Sequence, residues 1–233
     1  MSILRENMIR DMQLKGYSPN TQSAYVNHIK KYVEYFNKSP DRLGIEEIKQ
    51  YLHYLITIKK VSKSYVNSAY SALKFFYETT LNREWNIKEI PRIKKPKKLP
   101  VILSVSEVEQ IFKETTNLKH KAMLMTIYAA GLRVSEVAKL RISDIDSKNM
   151  QIRIRQGKGE KDRYTILSYE NLKILRDYLK YYQTKEWLFP GNPPDKPIST
   201  RTIQKIFKNA KDKAGIKKML QFIHFVIALL HIC

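Results

Sequence analysis

The sequence predicts a mainly α-helical protein with a small antiparallel β-sheet, an α+β chain, and three observations predict it. Aromatic-rich apolar stripes recur at helical spacing up to about Trp85. A serine–glutamate pair with capping-box spacing, Ser104 and Glu107, opens a second helical region. An alternating segment, MQIRI, is followed by a glycine-flanked turn and a second short strand.

The first helical stripe follows Tyr17-Ser18-Pro19, with Thr21, Ala24, Tyr25, His28, Ile29, Tyr32 and Phe36 on one face. Ile48, Tyr51, Leu52 and Leu55 form a second stripe. Val66, Ala69, Tyr70, Leu73, Phe76 and Tyr77 form a third, and all three read as core. Residues 1–88 are therefore expected as one helical domain. Its outward positions, Lys30, Lys31, Lys63, Ser64, Asn67 and Lys74, suit either a phosphate backbone or plain solvent.

Residues 89–103 are expected as a linker, centred on IPRIKKPKKLP from Ile90 to Pro100. Its prolines break helix and disfavour α geometry in the residues before them. Lys94, Lys95, Lys97 and Lys98 make it a basic strap suited to a phosphate backbone, and an ordinary solvated tether fits as well. The second domain is expected over 104–218. A helix runs from Ser104 to about Thr115. Leu118 to Ala130 is a nearly apolar, buried helix with Gly131 as its C-cap. A short helix with Arg133 and Glu136 follows. Met150 to Ile154 and Arg163 to Leu167 pair as a hairpin with Lys158 at its turn, and Leu172 to Tyr182 is a further helix. Ser199 to Ala214 is amphipathic and basic, with Ile203, Ile206 and Phe207 inward, Lys205, Lys208 and Lys211 outward, and Gly215 as its stop.

Charge narrows the function. The chain has 233 residues, and 43 lysines and arginines stand against 22 acids, a net charge of +21. Nucleic acid is the first anionic partner to consider, because neutralising phosphates releases counterions. A hydrophobic content of 43% argues against disorder. The single cysteine, Cys233, excludes an internal disulfide and fits a reducing cytoplasm. The N-terminus is no signal peptide, and no stretch is long enough to span a bilayer.

Two cations carry the candidate chemistry. A phosphodiester resists attack because its oxygens are negative and its alkoxide leaves poorly. The planar fork of an arginine grips two phosphate oxygens, and a lysine near the leaving oxygen donates a proton. Arg133 and Lys158, separated by a short helix and a strand, are compatible with one cleft. From spacing alone two plainer roles stay open: Arg133 as an ion-pair partner of Glu136, and Lys158 as a solvated turn residue.

The motifs resemble those of tyrosine recombinases of the phage-integrase and Xer type. YSPNTQSAY and its helical surroundings resemble the family's core-binding domain. KKPKKLPVILSVSEV resembles the interdomain strap and the opening of its catalytic domain. AGLRVSE resembles the first arginine motif, which implies that Arg133 is catalytic with Glu136 in support. QGKGEKDRYTIL resembles the family hairpin, which implies a catalytic role for Lys158. The resemblance implies site-specific strand transfer through a 3′-phosphotyrosine, with no metal or nucleotide cofactor. It also implies double-stranded DNA as partner, and four protomers holding two DNA sites.

The sequence departs from that pattern after the basic helix. The family's His-x-x-Arg motif and tyrosine nucleophile are expected there, but residues 219–233 read MLQFIHFVIALLHIC. His224 is followed three places on by Ile227. A run of fifteen uncharged residues arises by chance in under about 1% of tails in a chain this charged. Allowed codons for this tail, read in another frame, encode VTIHSFRHSFATHL, which suggests a frameshift that truncates the catalytic domain. A natural, buried apolar helix is the alternative. Tyr164, Tyr169, Tyr178, Tyr181 and Tyr182 all precede the missing motif, and none is assigned as nucleophile. The expectation is a recombinase by descent that does not cleave as it stands. The alternatives are a DNA-binding-only protein that occupies recombination sites, and a general basic nucleic-acid binder.

Overall fold

The computed structural model describes residues 2–85, 90, 92–94, 101–155 and 162–218. They form two compact units, one within the first 98 residues and one within the remainder. Helices dominate, and the second unit holds one three-stranded antiparallel sheet. Among the described residues no helix is long and apolar enough to cross a membrane.

The first unit contains α1 (Ser2–Leu14), α2 (Pro19–Phe36), α3 (Ile45–Thr57) and α4 (Lys63–Phe75). Sequence reasoning did not single out α1, whose charges interrupt its apolar positions. Met8 and Met12, one turn apart, bury completely and tie it to the core. The α2 start is set as expected: the Ser18 hydroxyl accepts from the Thr21 N–H at 3.3 Å, and Pro19 occupies the first turn. His28, Ile29 and Tyr32 are buried, but Ala24 is exposed and Phe36 only half-buried, so the stripe is narrower than its spacing suggested. The α3 and α4 stripes bury as expected. Beyond α4 the backbone widens into a π turn over Phe76–Thr80, which still buries Phe76 and Tyr77.

Phenols make much of this core. The Tyr77 hydroxyl lies 2.7 Å from the Pro40 carbonyl and 3.3 Å from the Tyr32 hydroxyl. Tyr32 also meets Tyr51 edge-on, with ring centroids 5.2 Å apart. Burial pushes the Tyr77 phenol up to about 12, and it raises Tyr32 and Tyr51 as well.

The start of the expected linker packs on the first unit. Ile90 is buried in its core, and the Arg92 guanidinium donates to the Ser71 hydroxyl at 3.0 Å. Leu103, at the far end of the expected linker, is buried in the core of the second unit.

The second unit contains α5 (Val105–Glu114), α6 (Leu118–Ala130), α7 (Val134–Ala138), β1 (Ile145–Asp146), β2 (Gln151–Ile154), β3 (Arg163–Ile166), α8 (Tyr169–Tyr182) and α9 (Thr200–Lys213). The capping box forms as predicted: the Ser104 hydroxyl accepts from the Glu107 N–H at 3.2 Å, and the Glu107 carboxylate accepts from the Ser104 N–H at 2.7 Å. Asn171 and Thr126 hydrogen-bond inside the α6–α8 packing. β1 was not anticipated, because two residues give no periodicity. It pairs with β2 through Ile145 and Ile152, and β2 pairs with β3 in the register Ile152 to Thr165 and Ile154 to Arg163. α8 begins at Tyr169, ahead of the expected Leu172, because Ser168 caps it.

Candidate functional site

The site is built where α6 ends. Gly131 adopts a left-handed conformation at φ 60°, and the Leu132 N–H bonds back to the Ile127 carbonyl at 3.1 Å. That turn drives Leu132 fully into the core. The next residue, Arg133, is extended, caps α7 and faces outward with its side chain 55% exposed.

Glu136 sits three residues later with its side chain only 5% exposed. Its carboxylate accepts three bonds: from the Arg133 N–H at 2.8 Å, from the Arg133 guanidinium at 2.6 Å, and from the Arg163 guanidinium at 2.9 Å. The first is the return arm of a capping box. The other two are charge-assisted. The expected contact between Glu136 and Arg133 is therefore present, and so is a second arginine that sequence reasoning missed. Arg163 comes from β3, two residues before Thr165, whose hydroxyl donates to the Ala130 carbonyl at 2.9 Å. Alternation along the strand was the available signal, since it puts Arg163 on the same inward face as Thr165.

An open cleft of about 370 Å³ adjoins Glu136 and is also lined by Lys139, Arg141, Asp144, Arg155, Asp162 and Trp187. Each of its carboxylates is held by arginine. Asp144, 2% exposed, accepts from Arg155 at 2.6 Å, and Asp162 accepts from Arg153 at 2.8 Å. Arg141 stacks its guanidinium 5.0 Å from the centre of the Trp187 ring. With its acids neutralised in this way, the cleft suits an oxyanion.

The remaining expected residues divide. Lys158 lies outside the described residues, as do Lys95, Lys97 and Lys98 and the whole 219–233 tail. The meeting of Arg133 and Lys158 on one phosphate thus stands as a sequence-based expectation. Lys63, Ser64, Lys94, Lys205 and Lys208 are exposed, as predicted. Lys30 is exposed and 3.7 Å from Glu34, while Lys74 is partly covered and 3.8 Å from Glu78. Asn67 is a correction. It is buried, and its amide donates to the Ile93 carbonyl at 3.0 Å, so it holds the chain that leaves the first unit rather than facing outward. Lys211 is another: its side chain is 16% exposed, and its ammonium donates to the Lys218 carbonyl at 3.3 Å.

Residues 101–225 match the phage integrase family, and residues 4–87 match the phage integrase N-terminal SAM-like domain. The chain belongs to the phage integrase family of tyrosine recombinases. It is 44% identical over 219 residues to the integrase/recombinase y4qK of Sinorhizobium fredii (strain NBRC 101917 / NGR234), a match covering 94% of this chain and 71% of that protein. It is 28% identical over 225 residues to the tyrosine recombinase XerC of Lactobacillus leichmannii, covering 87% and 75% respectively. Among solved structures, XerA recombinase aligns over 97% of this chain and 81% of its own, with 28% identity and a TM-score of 0.51. A lambda integrase dimer bound to a COC' core site aligns over 98% of this chain and 84% of its own. Its TM-score is 0.76 at 16% identity, a likeness of fold.

Proposed function

We propose that this chain binds duplex DNA as a site-specific recombinase and presents Arg133 to a backbone phosphate at the exchange point. The observation that carries the reading is the half-exposed Arg133 guanidinium held by the buried Glu136 carboxylate. A fork fixed on one edge offers its free edge to two phosphate oxygens in a preset orientation. The net charge of +21 supports the same partner. Lys158 is the proton donor to the leaving oxygen in this reading. Lys30, Lys63, Ser64, Lys94, Lys205 and Lys208 contribute backbone contacts. A solved relative, lambda integrase, is a tetramer on a Holliday junction, and the same assembly is proposed here.

The chain is further proposed to bind without cleaving. Within residues 219–233, His224 is followed three places on by Ile227, where the family resemblance implies an arginine. Two measurements test the reading. A nicked suicide duplex should yield retained but uncrosslinked DNA, and a covalent protein–DNA adduct would overturn the non-cleaving part. A salt titration should show duplex DNA bound more tightly than structured RNA of equal length. Equal or tighter RNA binding would overturn the recombinase reading in favour of a general nucleic-acid binder.

A further inference from the structure

We propose that Arg163 is a positioning residue for Arg133, acting through the carboxylate they share. The inference rests on the phosphate-binding reading of Arg133 and deepens it. Three observations carry it. Glu136 is nearly sealed from solvent, and its carboxylate accepts from both guanidiniums. β3 is stapled to the helix junction twice, by Thr165 at the Ala130 carbonyl and by Arg163 at Glu136, and Arg133 lies in the chain between those two anchor points. Arg163 also faces inward on its strand, with its side chain 37% exposed, while Tyr164 beside it faces solvent.

Two consequences follow physically. The Glu136 oxygen that accepts from the Arg133 N–H also accepts from Arg163, and this second bond completes the hold on the carboxylate, so its other oxygen fixes the Arg133 fork. The electrostatics change as well. An isolated Arg133–Glu136 pair has no net charge to offer an anion. Two guanidiniums on one carboxylate leave one net positive charge, and Arg133 is the more exposed of the two. Arg163 thereby restores to Arg133 the attraction for phosphate that Glu136 alone would cancel.

The test is a double-mutant cycle on the full chain, read as duplex DNA affinity and as the slope of log affinity against log salt. Arg163→Met should weaken binding roughly tenfold in the otherwise unaltered chain and less than about twofold in an Arg133→Ala background. The slope should fall by about 0.9 in the first case and not fall again in the second. Arg163→Lys, which keeps the charge, should recover part of the loss and serves as the second variant if Arg163→Met does not fold. An undiminished loss in the Arg133→Ala background would mean that Arg163 touches DNA directly, and would overturn the positioning role while leaving the function reading intact. No loss with Arg163→Met, where Arg133→Ala does weaken binding, would do the same. If Arg133→Ala itself changes nothing, the phosphate-binding reading fails and the inference falls with it.

Discussion

Replacing Glu136 with alanine tests whether this carboxylate holds the site together. The substitution removes the return arm of the α7 cap, worth about 1 kcal/mol. It also removes a buried acceptor bonded to two guanidiniums at 2.6 Å and 2.9 Å. Stripping one partner from a fully buried pair costs about 3–5 kcal/mol. Here both arginines are more than a third exposed and rehydrate, so screening reduces that part to about 1–2 kcal/mol. The sum is roughly 2–3 kcal/mol, or roughly 6–15 °C off the melting temperature of a unit this size. Glu136→Gln keeps the shape and one acceptor oxygen, so it should lose about half as much. Differential scanning calorimetry on both variants measures the effect. A second-unit transition in Glu136→Ala within about 1 °C of the parent would refute the reasoning, because a carboxylate contributing nothing to the fold cannot be what orients Arg133.

Three further outcomes are expected. Tyr77→Phe removes the hydroxyl that donates to the Pro40 carbonyl at 2.7 Å, which keeps the Leu43 N–H at 3.3 Å, and should cost about 0.5–1.5 kcal/mol in urea unfolding, more than Tyr32→Phe. His28 is held below its usual pKa by burial, with Lys31 adding to the effect. The unfolded chain therefore takes up the proton first: the contribution of His28 is present above about pH 6.5 and lost as pH falls through the lower folded value. His28→Gln should flatten the decline in first-unit stability between about pH 7.5 and about pH 5.5, and an unchanged slope would count against this account. Gly131→Ala puts a Cβ on the left-handed turn at φ 60° and should cost about 1–2 kcal/mol, with Gly131→Asn milder, as read by thermal melts.

Much of the architecture was legible because it is written in local rules. The Ser104–Glu107 box, the Ser18–Pro19 start and the Gly131 stop each depend on a few neighbouring residues, and each formed as read. The misreadings arose where tertiary partners override local pattern. Asn67 is polar on a helix and reads as outward, but the returning chain supplies the Ile93 carbonyl and draws it in. β2 follows the usual alternation, burying Ile152 and Ile154, whereas β3 inverts it: Arg163 and Thr165 face inward while Tyr164 and Ile166 are exposed. The inversion has a cause. The inner face of β3 meets a carboxylate and a helix-end carbonyl rather than hydrocarbon, and both need donors. The same inversion hid Arg163, since a hydrophobic reading of the strand looks to its apolar residues. Arg133 and Glu136 were legible for the opposite reason, as their contact lies within one turn of chain.

The phenolic core of the first unit has a consequence in alkali. An exposed tyrosine sheds its proton near pH 10, while the folded unit holds that of Tyr77 to about 12. Tyr77 adds to stability below about pH 10, and that contribution drains away as the pH climbs through 12, because only the opened chain can ionise freely. Phenolate absorbs further to the red than phenol, so base-driven opening of this unit reports itself in its own ultraviolet spectrum, with no label attached.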